Sequence, residues 1–387
     1  MFKYKVLNVG QGDCIGILNL AKRCKYKNYK IITDLGDGSR DIFKEFIKQN
    51  TKLILCLTHS HNDHIGGLKY LDDYKDYVKE IWLPAYYQEI IKIAKILLSL
   101  KVSKDIDNKD INKCKNSIEI YDILVKANKN IKIKFVYEGI NICSHIKILN
   151  PPLNINNIFD IKDNKFEKKI LSGDYDDIKG WFENNEIFID ILDNDNFIQY
   201  DIPKDLKEYN KIKRKEFFVK FLNYLKEDID NYLISSNNMN FSNIYTKFKL
   251  LTNDCSIVNT FSYTKEKEKI CDSLFTGDAS IKIFDRLIKN NKLGKVNILK
   301  VPHHGSKHNL NENIVNTLNP NFAIISHNNH KFGTSIDGHP NIEIIDILTK
   351  NRIKTLYTND VIKSFPAYNI KCPTSSCSFC NNISYIK

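Results

Sequence analysis

The chain has 387 residues, of which 42% are hydrophobic and 27% charged, a balance typical of a soluble globular protein with one large domain or two. It contains no run of about eighteen apolar residues, which argues against a membrane span. Its strand-like start, MFKYKVLNVG, does not resemble a signal peptide, so we expect a cytoplasmic protein. The net charge is +12, but only five of the 58 basic residues are arginines, so a general compositional bias explains the charge as well as a polyanionic partner does.

The first 85 residues alternate between short apolar strands and short helices. The predicted strands are 2–9, 14–20, Tyr29–Thr33, Leu53–Leu57 and Val78–Leu83, and the predicted helices are Asp41–Gln49 and Ile65–Tyr77. The run Leu53–Leu57 is apolar throughout, which is typical of a strand buried on both faces. This alternation predicts a sheet with helices covering its outer face.

Four potential metal ligands follow the strand Leu53–Leu57: His59, His61, Asp63 and His64. Imidazoles suit zinc, and a carboxylate also accepts manganese or iron. His59 and His61 lie on one side of an extended segment, whereas Asp63 and His64 enter a turn and can face a second cation. The alternative is a polar loop that contains histidines by chance. Three of the ten histidines within six positions beside an aspartate favour a metal site.

From about residue 86 the pattern changes to longer helices. Helices are predicted at Gln88–Leu100, Ser117–Asn128 and Asp205–Leu233, and strands at Lys132–Tyr137 and His145–Leu149. Residues 153–250 begin with a stretch rich in Asn and Asp that has weak periodicity. We interpret 153–250 as an insertion or cap that could gate a site, select a substrate or bind a protein partner.

The alternation of strands and helices returns at Asp254. Strands are predicted at Ser256–Tyr263, Ile270–Thr276, Val296–Val301 and Phe322–Ser326, and helices at Ile281–Asn290 and Ile342–Lys350. Potential ligands again follow strands, at Asp278 and at the pair His303-His304. Nine of the ten histidines fall into three clusters, within 59–64, 303–308 and 327–339. This clustering predicts one shared site.

Several motifs in this order resemble the metallo-β-lactamase-fold hydrolases. They are Asp34, THSHNDH (58–64), Gly277-Asp278 and HHGS (303–306). A narrower set resembles the soluble hydrolase domain of ComEC-type competence proteins: VGQGD (9–13), ILNPP (148–152), NDCS (253–256), LFTGDA (274–279), VPHHGS (301–306) and GHP (338–340). The resemblance implies an α/β fold, a four-layer αββα sandwich with a largely helical insertion. Its two halves would be 1–152 and 251–370, with the insertion at 153–250 and a cysteine-containing tail at 371–387.

The resemblance also implies two divalent cations, Zn²⁺ or Mn²⁺, at one edge of the sandwich. His59 and His61 would bind one cation, and Asp278 would bridge the two. The second cation would be bound by Asp63, His64 and either His303 or His304, with His304 favoured, and Asp34 would orient the histidine loop. Many members supply one more histidine where this chain has Asn253-Asp254-Cys255-Ser256, so we expect the first position to bind its cation more weakly.

With these residues we expect a phosphodiesterase or nuclease that uses water activated by the two cations. The ComEC-type resemblance and the basic net charge favour DNA, possibly single-stranded, as the substrate. Asp63 or Asp278 would steer the attacking water, and His339 or the non-ligating member of the His303-His304 pair would protonate the leaving oxygen. His339 could instead serve a structural turn before Pro340. His308, His327 and His330 are expected at the rim or surface. A hydrolase of a small phosphodiester, such as a cyclic nucleotide or a phosphocholine-type ester, and a non-catalytic metal-stabilised interaction subunit stay open as alternatives.

The cysteines give two further expectations. Cys14, Cys56 and Cys271 lie in apolar strand-like contexts, which predicts buried reduced thiols. Cys372, Cys377 and Cys380 of the tail have a spacing that could bind a structural zinc, but no fourth ligand is evident and free thiols are favoured.

Overall fold

The computed structural model describes residues 3–10, 12–18, 20, 24–39, 41–102, 109–158, 207–235, 238–265, 268–327, 338–358 and 383–386. His330 and the three tail cysteines lie outside these residues. The chain divides into two compact units, the first formed by 1–85, 129–151 and 253–387 and the second by 86–128 and 152–252. The second unit therefore combines the region interpreted as an insertion with two helices that precede it in the sequence.

The described part of the first unit contains two seven-stranded sheets. The first sheet consists of β1 (Lys3–Leu7), β2 (Ile15–Leu18), β3 (Lys30–Thr33), β4 (Leu53–Cys56), β5 (Val78–Pro84), β6 (Lys132–Val136) and β14 (Ile383–Ile386). The second consists of β7 (Asn141–Cys143), β8 (Ile146–Asn150), β9 (Val258–Lys265), β10 (Glu268–Phe275), β11 (Ile298–Lys300), β12 (Phe322–Ile325) and β13 (Lys354–Tyr357). The strand orders are β14-β1-β2-β3-β4-β5-β6 and β13-β12-β11-β10-β9-β8-β7.

Strand β4 lies inside the first sheet, parallel to β3 and β5. All four of its side chains are buried, which confirms the prediction of a strand covered on both faces. Successive side chains of a strand point to opposite faces. Ile54 and Cys56 face the other sheet, where they join the apolar cluster between the sheets, and Leu53 and Leu55 are buried on the opposite side.

The two sheets pack face to face through an apolar core. Tyr4, Ile31 and Trp82 of the first sheet share one cluster with Phe261 and Phe275 of the second. The Tyr4 and Phe275 rings lie 5.8 Å apart, and the Tyr4 hydroxyl hydrogen-bonds the hydroxyl of Ser273 at 2.6 Å. Burial of this apolar surface is the main force that joins the sheets.

Helices cover the outer face of each sheet. The described α-helices of the first unit are α1 (Phe43–Phe46), α2 (Asn62–Ile65), α3 (Leu71–Tyr74), α8 (Ile281–Lys289), α9 (Glu312–Leu318) and α10 (Ile342–Lys350). Phe284, Ile314 and Leu348 of the last three helices pack in one cluster with residues of the second sheet. On the first sheet, Phe46 of α1 lies directly over Gly16, where an added Cβ would come within 2.1 Å of the ring. The first unit is therefore the predicted α/β sandwich of helix, sheet, sheet and helix layers.

The single helix predicted at Ile65–Tyr77 is wrong. The segment contains the end of α2, a 3₁₀ turn at Gly66–Tyr70, and α3. Gly66 and Gly67 lie against the backbone of residues 35–37, so close that any side chain would clash. This tertiary contact breaks the regular helix.

The described part of the second unit contains a 3₁₀ turn (Ile155–Asn157) and four α-helices: α4 (Tyr87–Val102), α5 (Lys109–Ala127), α6 (Lys207–Ser235) and α7 (Asn238–Asp254). The Tyr86 ring stacks on Phe217 at 4.4 Å, and Phe221 stacks on Phe248 at 5.9 Å. Arg214 pairs with Glu89 at 2.6 Å. Among the described helices of both units, none combines the length and the apolar composition that crossing a membrane requires.

Candidate metal centre

The Asp34 carboxylate organises the segment that follows β4. Its Oδ1 accepts a hydrogen bond from the Thr58 backbone N–H at 2.7 Å, and its Oδ2 accepts one from the Thr58 hydroxyl at 2.7 Å. The same Oδ2 lies 2.8 Å from Nδ1 of His64. Asp34 directly follows β3 and Thr58 is the second residue after β4, and these two parallel strands place the two residues side by side. The hydrogen bond at Nδ1 leaves Nε2 of His64 as the atom that can bind a cation.

His59, His64 and Asp278 form a first group of potential ligands, with one atom from each residue within 4.8 Å of the others. Nε2 of His59 lies 3.7 Å from Oδ2 of Asp278, and Nε2 of His64 lies 3.2 Å from Oδ1. All three residues are buried. The turn that carries Asp278 is fixed by a hydrogen bond from its backbone N–H to the Ser256 hydroxyl at 3.2 Å.

Asp63, His64 and His304 form a second group, which shares His64 with the first. Nε2 of His304 lies 3.2 Å from Oδ2 of Asp63, and Nε2 of His64 lies 4.0 Å from the same oxygen. Nδ1 of His304 donates to the backbone carbonyl of Ser326 at 3.0 Å, so its Nε2 faces the other ligands as the acceptor atom. The structure thus brings His304, rather than His303, into this group.

His61 and His303 border the two groups. Nδ1 of His61 lies 3.0 Å from Nε2 of His59, so the two nitrogens can contact one ion. Nε2 of His303 lies 3.7 Å from Oδ2 of Asp278, and its Nδ1 contacts Oδ1 of Asn309 at 3.0 Å. The His339 ring lies 5.1 Å from that of His303, and its side chain is half-buried. His61 and His303 therefore lie next to the ligand groups, and His339 packs against His303.

The expectation for His308 is confirmed, because this residue is exposed, but the one for His327 is wrong. His327 is fully buried two residues after β12, where its backbone N–H donates to the hydroxyl of Thr358 at 3.0 Å. Its ring packs edge-on against Tyr357 at 6.0 Å. The cause is strand β13, which pairs with β12 and which the sequence pattern did not predict.

Asp13 is a site residue that the sequence motifs did not predict. The structure places its buried carboxylate in a third group with Asp34 and His64, 3.7 Å from Nδ1 of His64. The available signal was the turn Gly10-Gln11-Gly12-Asp13, because closely spaced glycines often mark a close approach of two backbones. Gly12 has a φ of 142° and lies so near the carbonyl of Asp63 that an added Cβ would be 2.1 Å from its oxygen.

The carboxylates and imidazoles shift each other's pKa values. Burial acts to lower the pKa of His64, but the negative charges of Asp278, Asp34 and Asp63 raise it well above the ordinary value. Burial and the nearby His64 lower the pKa of His59 well below its usual range. Burial acts to raise the pKa of Asp278, but the positive charge of His64 lowers it well below the ordinary value. The negative charges of the aspartates around His64 therefore favour a positive charge at this position, whether a proton or a metal cation.

Unsatisfied buried atoms provide a test of whether a metal fits these residues. Among the described residues, Nε2 of His64, Oδ1 of Asp278 and Oδ1 of Asp13 are buried and make no hydrogen bond. The 3.2 Å contact between His64 and Asp278 does not have hydrogen-bond geometry. A buried polar atom without a partner is costly. A divalent cation bound by imidazole nitrogens and carboxylate oxygens would satisfy both His64 and Asp278.

Comparison with known proteins agrees with this geometry. The sequence profile of the Metallo-beta-lactamase superfamily matches residues 26–82, which include Asp34 and all four potential ligands of the segment after β4. The comparison with curated proteins gave no match. The two-sheet α/β sandwich is consistent with the fold of that superfamily, whose members are mostly metal-dependent hydrolases. The superfamily match and the histidine–aspartate groups together indicate a metal-dependent hydrolase.

Proposed function

We propose that the protein is a metal-dependent phosphodiesterase that hydrolyses DNA. The observation that carries the proposal is the placement of Asp278 between two histidines. Its Oδ2 lies nearest His59 and its Oδ1 nearest His64, at 3.7 and 3.2 Å. A carboxylate whose two oxygens face different imidazoles is suited to bridge two cations, and a pair of cations is a common device for cleaving phosphodiesters.

Two cations would share the ligands as follows. His59 and His61 would bind the first, Asp278 would contact both, and the second would be bound by Asp63, His64 and His304. When bound, such cations lower the pKa of water and neutralise charge that develops on phosphate. The carboxylates of Asp63 and Asp278 orient the attacking water by accepting its hydrogen bonds. Before any cation binds, the positive charge of His64 lowers the pKa of each of these carboxyls well below its ordinary value despite burial, so both are already carboxylates that a cation can bind.

The residues beside the ligands complete the proposed reaction. His303 has its Nε2 near Asp278 and its ring partly exposed, so it can protonate the leaving oxygen or bind a phosphate oxygen. His339 packs beside it and can take part in the same proton transfer. The Asn309 side chain fixes the His303 ring through Nδ1 and also donates to the backbone carbonyl of Asp278 at 2.8 Å.

Charge supports an anionic substrate. Four carboxylates (Asp13, Asp34, Asp63 and Asp278) and one ammonium (Lys300) lie in or against the site. With neutral imidazoles they carry three net negative charges, so two divalent cations would make the site positive and attract a phosphodiester. The choice of DNA rests on the ComEC-type motifs and on the net charge of +12, which would draw a polyanion towards the protein.

The test is cleavage by purified protein supplied with Mn²⁺ or Zn²⁺. Single-stranded DNA, duplex DNA, RNA, a cyclic nucleotide and a phosphocholine-type ester are compared as substrates. We expect cleavage of DNA, and His64→Ala and Asp278→Ala should lower kcat/KM by about a hundredfold or more, beyond the usual effect of residues that only support ligands. His145→Ala is the matched control. His145 is also a buried histidine, but its Nδ1 bonds the backbone carbonyl of Ser262 within the second sheet.

Each other outcome has a defined meaning. Cleavage of the cyclic nucleotide or the phosphocholine-type ester without cleavage of DNA would refute the DNA assignment and support the small-phosphodiester alternative. Metal-loaded protein that cleaves none of the substrates would refute the phosphodiesterase and leave the interaction subunit. Equal activity in wild type and in both ligand variants would identify a contaminating nuclease.

A further inference from the structure

A buried ion pair lies behind the candidate metal centre. It joins Asp13, in the turn between β1 and β2, to Lys300, the last residue of β11. Both residues are only 2% exposed, and Nζ of Lys300 contacts Oδ2 of Asp13. Buried ion pairs are costly to desolvate and often add little stability, so their presence calls for another explanation.

Asp13 faces the rear of two imidazoles at once. Its Oδ2 lies 3.7 Å from Nδ1 of His64, and its Oδ1 lies 4.0 Å from Nδ1 of His304. In both rings the opposite nitrogen, Nε2, contacts Asp63. Oδ1 of Asp13 makes no hydrogen bond among the described residues. Its negative charge therefore lies on the side of each ring away from the ligand atom, where it strengthens the lone pair that binds a cation.

Lys300 partly cancels this charge and also fixes its position. Besides Asp13, its ammonium contacts the backbone carbonyl of Gly277 at 3.3 Å, one residue before Asp278. Four residues after Lys300 the chain reaches His304. One ammonium thus connects the turn of Asp13, the turn of Asp278 and the strand that leads to His304.

We propose that Asp13 and Lys300 are positioning residues that set the cation affinity of the group Asp63, His64 and His304. Asp13 raises this affinity through its charge behind the two imidazoles, and Lys300 limits it. The inference rests on the metal-binding part of the proposed function, and it holds for any substrate.

The test compares wild type with Asp13→Asn, Lys300→Met and the double variant, all as full chains. Affinities for Mn²⁺ and for Zn²⁺ are measured by competition with a chelating dye, and thermal unfolding is followed on the metal-free proteins. We expect Asp13→Asn to weaken binding by about 10- to 100-fold and Lys300→Met to strengthen it. The double variant should fall between wild type and Asp13→Asn in affinity. Each single change leaves a buried charge unpaired, so we expect stability to fall in both and to recover in the double variant.

This pattern separates charge tuning from a structural role. If the pair only supported the fold, metal affinity would follow stability, both single variants would bind more weakly, and the double variant would bind like wild type. That result would overturn the proposal, as would Asp13→Asn with wild-type affinity. If the single variants do not fold, the double variant decides by itself, because wild-type affinity there contradicts the proposal.

A control comes from a partly buried ion pair in the same unit. Glu138 pairs with Arg286, which also contacts Asn150. Glu138→Gln should lower stability and leave metal affinity at the wild-type value, and an equal loss of affinity would show that any broken pair has this effect. Wild-type protein that binds metal without cleaving DNA would refute the proposed function alone. Wild-type protein that binds neither metal would refute both proposals.

Discussion

Replacing Asp34 with asparagine tests how His64 is oriented. Asparagine has nearly the shape of aspartate and tolerates the φ of 57° at this position, so the backbone need not move. Its amide oxygen can still accept the N–H of Thr58 at the Oδ1 position. The amide NH₂ then occupies the Oδ2 position, opposite the Thr58 hydroxyl and Nδ1 of His64. The hydroxyl can rotate and accept, but His64 can accept at Nδ1 only if its proton moves to Nε2.

The size of the effect follows from these contacts. A neutral His64 protonated at Nε2 has no lone pair for a cation, and changes to such supporting residues usually weaken metal binding by about 10- to 100-fold. Loss of one charge-assisted hydrogen bond destabilises the fold by about 1.5–3 kcal/mol. Burial raises the pKa of Asp34, which means that the buried carboxylate carries a desolvation cost that the amide lacks. We therefore expect the free energy of unfolding to fall by an amount near the lower end of that range.

Two measurements check this prediction. Denaturant unfolding of metal-free protein gives the change in stability, and competition with a chelating dye gives the affinity for Zn²⁺ and Mn²⁺. Thr58→Ser is the control, because serine keeps both hydrogen bonds to Asp34 and should preserve the affinity. Asp34→Asn with wild-type affinity would refute the reasoning and show that packing against the His59 and His304 rings, at 4.2 and 5.4 Å, suffices to orient His64.

Two further predictions concern packing and pH. Gly66→Ala should destabilise the fold by about 1–3 kcal/mol, because the added Cβ would lie 2.4 Å from the Asp37 backbone. The control is Gly294→Ala, where the added Cβ meets open space and should change the free energy of unfolding by less than about 1 kcal/mol. Equal losses of stability in denaturant unfolding of the two variants would contradict this prediction. Burial raises the pKa of Tyr121 from 10.0 to about 12, so its contribution to stability is complete below pH 10 and is lost as the pH rises through 12. Denaturant unfolding on both sides of this interval should show a smaller alkaline loss in Tyr121→Phe than in wild type, and parallel profiles would rule the contribution out.

The strand ends could be predicted from the sequence because the chemistry there is local. An apolar run indicates a strand whatever its neighbours are, and the residues that follow it must lie at the sheet edge. Parallel pairing of β3 with β4 then places Asp34 beside Thr58, and parallel pairing of β10 with β11 brings the Asp278 turn close to His304. Several strand ends at one edge make a shared site.

Other features depend on contacts between residues far apart in the chain, which periodicity does not encode. Asp13 pairs with Lys300, far away in the sequence, and the predicted helix breaks at Gly66 because the backbone at Asp37 passes against it. His327 is buried because β13 pairs beside β12. A contact of the same kind stabilises helix α7 of the second unit, where Phe221 of α6 stacks on Phe248 of α7. Tertiary packing overrides local preference at each of these positions.

His59 and His64 show how strongly the surroundings of a histidine determine its pKa. The His59 and His64 rings lie 4.2 Å apart, yet the pKa of His59 is lowered and that of His64 is raised. The negative charges of Asp278, Asp34 and Asp63 raise the pKa of His64, whereas burial and His64 itself are the main causes that lower the pKa of His59. A histidine ligand must be neutral to bind a metal. A cation can therefore bind His59 without displacing a proton, whereas at His64 it replaces a proton that the aspartates attract, and in both states positive charge occupies the centre of the site.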